Sequence, residues 1–232
     1  MASKLEINKG GKIINMVNHL YDIFKHWTYV DGLHKNSVYL IGDPHFGDEE
    51  MKTLRTNYIS DDEQVKRINS KVGRNDTIVF LGDIGDLEFI KKIKGYKVLI
   101  MGNHDKGASN YKRTYQTGHL EPLENGGNLY VTDTEDNHLF DEVYEGPLMI
   151  NDRVILSHEP IFPTIPFLFN IHGHVHNKNY KGDDHHLNVC AEAIDYTPIN
   201  LINFIKSGNI SHIDSIHRLT IDGAVKRKNK NK

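Results

Sequence analysis

The chain has a single cysteine, Cys190, among its 232 residues. One thiol cannot close an internal disulfide, and without a thiolate cluster there is no ligand set for a cysteine-rich structural zinc or an iron–sulfur centre. A reducing compartment is implied. Long apolar runs are missing too: nowhere do about 18 apolar residues follow one another, and the first thirty residues lack the unbroken apolar core of a signal peptide. The expectation is a soluble, cytoplasmic protein with no membrane partner. The phosphate-cradling pattern Gly-x-x-x-x-Gly-Lys-Ser/Thr is also absent, which excludes an ATP-binding P-loop.

What the chain does contain is 15 histidines beside 31 aspartates and glutamates. Imidazoles and carboxylates are the ligands of borderline divalent and trivalent metals. No six-histidine run accounts for the count, so position decides what it means. Lys226 to Lys232 carry five basic side chains and no acid, which leaves the rest of the chain distinctly acidic. An acidic body repels a polyanion, so nucleic acid is not the favoured partner, although the basic tail offers one contact.

Three segments follow from the pattern. Residues 1–36 form an N-terminal extension in which Ile13, Val17, Leu20, Ile23, Phe24 and Trp27 recur at three- and four-residue intervals, the period of an amphipathic helix packed on the domain that follows. Residues 37–222 form the domain. Residues 223–232 form a basic, solvated tail. Within the domain, the apolar runs Val38–Ile41, Thr77–Leu81 and Lys97–Met101 each end in glycine and a polar cluster, as buried strands of a parallel sheet do. Ser60 and Glu63 make a capping box for a helix that Gly73 can stop, and a second short helix spans Asp86 to Lys94 before Gly95. Helices between strands mean crossover connections. Further on, Leu148–Ile150 and Arg153–Leu156 read as a hairpin, Phe167–Ile171 and Leu187–Ala191 as strands, and Asn200 to Lys206 as a short helix. The stretch 106–145 reads as loops with one helix at most.

Five polar clusters sit at strand ends: Asp43-Pro44-His45, Gly82-Asp83, Gly102-Asn103-His104-Asp105, Ser157-His158-Glu159 and His172-Gly173-His174-Val175-His176. Loops beyond the carboxyl ends of strands in an open α/β sheet converge on one crevice. Taken alone, a Gly-Asp is usually a turn and a His-x-His two exposed imidazoles. Together, Asp43, Asp83, Asn103, His45, His158, His174 and His176 are an oxygen-and-nitrogen set suited to manganese, iron or zinc, too large for one four-coordinate ion and the right size for two that share a bridge.

The order Asp-x-His, Gly-Asp-x-x-Asp, Gly-Asn-His-Asp, lone His and Gly-His-x-His resembles the calcineurin-like metallophosphoesterase superfamily over residues 37 to 206, in the manner of its small bacterial and phage members. The resemblance implies a four-layer α/β/β/α sandwich of two mixed sheets with two divalent or trivalent metal ions at one edge. It implies that Asp43, His45 and His176 hold one ion, that Asn103, His158 and His174 hold the other, and that Asp83 bridges them. His104 would stand beside the pair as general acid, with Asp105 orienting its ring. The activity implied is hydrolysis of a phosphoester by a metal-bridging hydroxide, whose pKa two cations about 3.5–4 Å apart lower toward ~7. A small phosphodiester is placed first as substrate, then a phosphomonoester or nucleotide. A non-catalytic interaction module of the same fold and a single-metal esterase or amidase are the contrasting readings.

Some residues depart from the pattern or stand beside it. Asp48 occupies a position where many relatives carry histidine, which points to substrate contact. Asp86 is followed by Leu87-Glu88 rather than arginine, and Asp105 replaces a glutamate, so a protein phosphatase is not expected. His172 reads as supporting structure. Arg55, Arg74, Lys106 and Arg113 could hold a phosphate, with exposed surface cations as the default for each.

Overall fold

The computed structural model describes residues 21–30, 34–35, 37–106, 112–114, 130–132, 137–162, 167–178 and 183–215, together with Thr220 and Lys226. Nine strands build two mixed sheets. The first has five strands, β1 (Val38–Ile41), β2 (Thr77–Phe80), β3 (Tyr96–Ile100), β4 (Glu142–Tyr144) and, at the other edge, β9 (Ile199–Asn200), in the order β9-β1-β2-β3-β4. Strands β1 to β4 are parallel and β9 is antiparallel to β1. The second has four, β5 (Leu148–Met149), β6 (Val154–Ser157), β7 (Phe169–His172) and β8 (His186–Asn188), in that spatial order. There β6, β7 and β8 run parallel, and β5 pairs antiparallel with β6.

The apolar runs of β1 to β3 are continuous because both faces are buried. Ile78, Phe80 and Leu99 face a cluster with Val65, Ile68 and Val72 of helix α2 (Asp61–Lys71) and with Leu87 and Ile90 of a 3₁₀ turn, Leu87–Lys92. Their neighbours Val79, Leu81, Val98 and Ile100 face a second cluster with Ile150, Val154, Leu156, Phe169 and Ile171 of the other sheet. This alternation is the period of a strand, applied on both sides. The result is an α/β sandwich in which helix, sheet and sheet are stacked.

Local signals behave as their chemistry dictates. Ser60 caps α2, its hydroxyl accepting from the Glu63 N–H, and Asp86 caps the 3₁₀ turn by accepting from Glu88. In the hairpin, Asn151 Oδ1 accepts from the N–H groups of Arg153 and Val154, both at 2.8 Å. Helix α1 (Met51–Leu54) is a single turn, and helix α3 (Leu201–Lys206) buries Leu201 and Ile205 in the inter-sheet core.

Two expectations change. Strand β4 lies inside the stretch read as loops, as do two short antiparallel strands, Lys112–Thr114 and Tyr130–Thr132. Of the expected N-terminal helix, Ile13 to Leu20 lie outside the described residues, and Asp22–Thr28 is a 3₁₀ segment. Its Phe24 and Trp27 are buried in the inter-sheet cluster, and the Trp27 indole N–H donates to Glu142 on β4 at 2.8 Å. Lys226 apart, the basic run at 227–232 lies outside the described residues. Among the described residues no helix is long and apolar enough to cross a membrane.

Candidate metal centre

The two sheets meet at one edge, where the loops after β1, β2, β3, β6 and β7 come together. Gly42 joins them by accepting from the Ala191 N–H and donating to the Val189 carbonyl, each at 2.7 Å. The segment after β1 then runs beside the segment after β2: Asp43 donates to Gly82, His45 to Asp83 and Phe46 to Ile84 through their backbones. Asp43, His45, Asp83, His174 and His176 all hold positive φ, between 49° and 69°. Non-glycine residues seldom adopt this region, and a cluster of them at one place marks a site where side-chain direction outweighs backbone comfort.

These turns bring the ligand atoms together in two groups. Asp43, His45 and His176 form one, and Asp83, His158 and His174 the other, with the atoms of each group within 4.8 Å of one another. Asn103 joins the second: its Oδ1 lies 2.8 Å from His158 Nε2 and 3.1 Å from His174 Nδ1. Between the groups stands Asp83. Its Oδ1 accepts from the His104 backbone N–H at 2.9 Å, while Oδ2 lies 3.7 Å from His45 Nε2 and 3.5 Å from His158 Nε2. One carboxylate oxygen thus faces both groups. All seven residues expected from the sequence converge here.

The donor chemistry fits cations. Asp43 is fully buried; its Oδ2 accepts from the His174 N–H at 2.8 Å and the Cys190 thiol at 3.2 Å, while Oδ1 has no hydrogen-bond partner. His45 Nε2 is likewise buried without one. Two such atoms in one group are costly to leave unsatisfied, and a cation reaching both would satisfy them. The His158 Nδ1–H donates to the Leu81 carbonyl at 2.8 Å, which turns Nε2 toward the second group. Burial pushes the Asp43 carboxyl up to about 6, against the pull of His158 and the His174 N–H. A cation at Oδ1 would reverse that pressure by favouring the carboxylate. Burial also holds His45 down to about 4, which keeps its ring neutral and able to ligate at neutral pH.

Several supporting residues were not apparent from sequence. Glu192 Oε1 lies 2.9 Å from His176 Nδ1, and its Oε2 lies 3.3 Å from Arg55 Nε. Asp48, expected at the substrate, has Oδ2 3.3 Å from His45 Nδ1. A carboxylate therefore stands beside Nδ1 of both histidines of the first group, and the one on His176 is the kind of partner that orients a ligating ring. The hydrogen bond to Glu192 raises the His176 pKa above its usual value. Glycines make the close approaches possible: a Cβ on Gly102 would stand 2.2 Å from Asp83 Oδ1, and one on Gly173 2.2 Å from Asp43 Oδ2.

His104 is exposed, with its ring 5.3 Å from that of His45. Asp105 is fully buried and accepts three backbone N–H bonds, from Asp83 and Gly102 to Oδ2 at 2.8 Å and from Ile84 to Oδ1 at 3.0 Å. Both of its oxygens are thus engaged in shaping the Asp83 turn. His172 is buried against the Gly173 carbonyl and the His186 ring. Of the candidate phosphate-holding cations, Arg74 and Lys106 are exposed as expected, and the side chain of Arg113 lies outside the described residues. Arg55 corrects the surface assignment: it is buried, and its guanidinium bonds backbone carbonyls rather than facing solvent.

No family model matches the chain, and no curated protein matches it. Among solved structures it is similar to a protein of unknown function from Aquifex aeolicus, with 24% identity and a TM-score of 0.51 over 75% of this chain and 100% of that one. That likeness supports the fold. It is also similar to the nuclease MPE of Pseudomonas putida, with 19% identity and a TM-score of 0.37 over 60% of this chain and 61% of that one, too distant to carry an argument.

Proposed function

We propose that the chain is a metal-dependent hydrolase of phosphoesters with a two-ion centre, and that a small phosphodiester is its substrate. The observation that carries this is Asp83 Oδ2, which lies between two ligand groups built from imidazoles, carboxylates and an amide. Manganese, iron or zinc suits such a set. Two bound cations would supply an activated water and neutralise the phosphoryl oxygens during in-line displacement.

The remaining steps fall to the chain. Asp43, His45 and His176 hold one side of the centre, and Asn103, His158 and His174 the other. His104, exposed beside His45, donates a proton to the departing oxygen, which an alkoxide leaving group needs. Asp105 supports it by fixing the backbone of the Asp83 turn, from which His104 hangs by its own N–H. Because Arg55 is committed elsewhere, substrate phosphate is left to the ions and to exposed groups such as Lys106.

Hydrolysis of bis- and mono-(p-nitrophenyl) phosphate by the manganese-loaded chain tests the reading. Metal-dependent turnover with the diester ahead is expected. A faster monoester would make the protein a phosphomonoesterase or nucleotide phosphatase. Absence of turnover on either would leave a non-catalytic module.

A further inference from the structure

Arg55 holds no position in either ligand group, yet it touches both arms of the first. Its Nη2 donates to the Asp43 carbonyl at 2.5 Å and its Nη1 to the Pro44 carbonyl at 3.1 Å. Its Nε faces Glu192 Oε2 at 3.3 Å, and the other oxygen of Glu192 meets His176 Nδ1 at 2.9 Å. The side chains of Arg55 and Glu192 are 1% and 4% exposed. Asn57 secures Glu192 a second time, donating from its amide to the backbone carbonyl at 2.9 Å, and the guanidinium lies over the Tyr196 ring, 5.9 Å from its centroid. Burial pushes the Glu192 carboxyl up, but His176 and Arg55 together outweigh it and hold the carboxyl below its usual value.

Two charges this deep are an expensive way to stabilise a fold, since an apolar pair of similar volume often does as well or better. What an apolar pair could not do is fix distances. A guanidinium is a planar fork with donors in set directions. Here Nη1 and Nη2 grip the segment that carries Asp43, at the end of β1, while Nε, without a hydrogen bond of its own, places the positive charge 3.3 Å from Glu192, the carboxylate that meets the ring of His176 beyond β7.

We propose that Arg55 is a positioning residue for metal binding: through Glu192 and the Asp43–Pro44 carbonyls it sets the placement of His176 against Asp43, and so the affinity of that ligand group for its cation. This rests on the reading that Asp43, His45 and His176 hold a cation. The second group, Asp83, Asn103, His158 and His174, serves as an internal reference.

Calorimetric titration of the chelator-treated chain with manganese tests it. The wild-type chain comes first: two binding steps are expected, and no binding would overturn the metal-centre reading and this proposal with it. Given wild-type binding, Arg55→Lys keeps the charge but loses the fork, and is expected to weaken one step by about 10–100-fold while leaving the other unchanged. Arg55→Met strands Glu192 in the interior and could fail to fold, so it is paired with Glu192→Met to restore an apolar contact. That double variant is expected to melt near the wild type and still to show the one weakened step. A purely structural role predicts the reverse, a moved melting temperature with the two steps shifted equally or not at all. Wild-type affinity in a folded Arg55→Lys chain or in the double variant would overturn the proposal.

Discussion

Asp83 has two oxygens with separate duties, one accepting the His104 N–H and the other facing both ligand groups. Asp83→Asn cannot fill both: whichever way the amide turns, an N–H₂ replaces an oxygen that must accept. Metal content by elemental analysis is expected to fall from two ions per chain to one or fewer, and retention of two would remove the shared role. His104→Ala should leave metal content intact and lower turnover by about 10²–10⁴-fold, most for poor leaving groups; undiminished turnover would remove it as the acid. Asp105→Ala leaves three buried N–H groups without their acceptor. At about 1 kcal/mol or more apiece, urea unfolding should show a loss of about 3 kcal/mol or more, and a loss under about 1 kcal/mol would mean that water or a neighbour replaces the carboxylate. The seven candidate ligand residues were legible because each stands beside a strand end with a glycine in four of the five clusters. Glu192, Asp48 and Arg55 were not: each reaches the site through a side chain whose direction no local pattern encodes, and a buried arginine looks like a surface one in sequence.

At the level of elements, strands β1 to β3 and the helices between them were readable because burial on both faces writes an unbroken apolar run. Strand β4 was not, being three residues long and beginning with Glu142. That carboxylate is buried only because Trp27, His26 and Tyr144 bring donors to it, two of them more than a hundred positions away. The turn after β7 gives the element-scale prediction. Gly173 lets Asp43 Oδ2 pass where a methyl would stand at 2.2 Å. Gly173→Ala should therefore shift a buried carboxylate that cannot retreat and weaken manganese binding in calorimetry, with far-UV circular dichroism unchanged. Wild-type affinity would show that the turn can relax at no cost to the site.

Across the whole molecule, the second sheet came from family resemblance rather than from periodicity, because a sandwich is a relation between distant segments. Its two sheets are joined at the same edge that carries the ligand groups, through Gly42 and the Val189–Ala191 segment. An ion bound there would couple to folding, and at a hundred times its dissociation constant it should stabilise the chain by about 2.7 kcal/mol. Thermal melts with manganese and with chelator check this; identical melting temperatures would mean that the ligand groups hold no ion in the folded chain.

The central claim is that two ions share Asp83. Electron paramagnetic resonance of the manganese-saturated chain, with the stoichiometry measured on the same sample, addresses it most directly. Two ions per chain with a spin-coupled dimanganese signal that Asp83→Asn abolishes is the predicted result. One ion per chain, or two giving only the spectrum of isolated manganese, would contradict it.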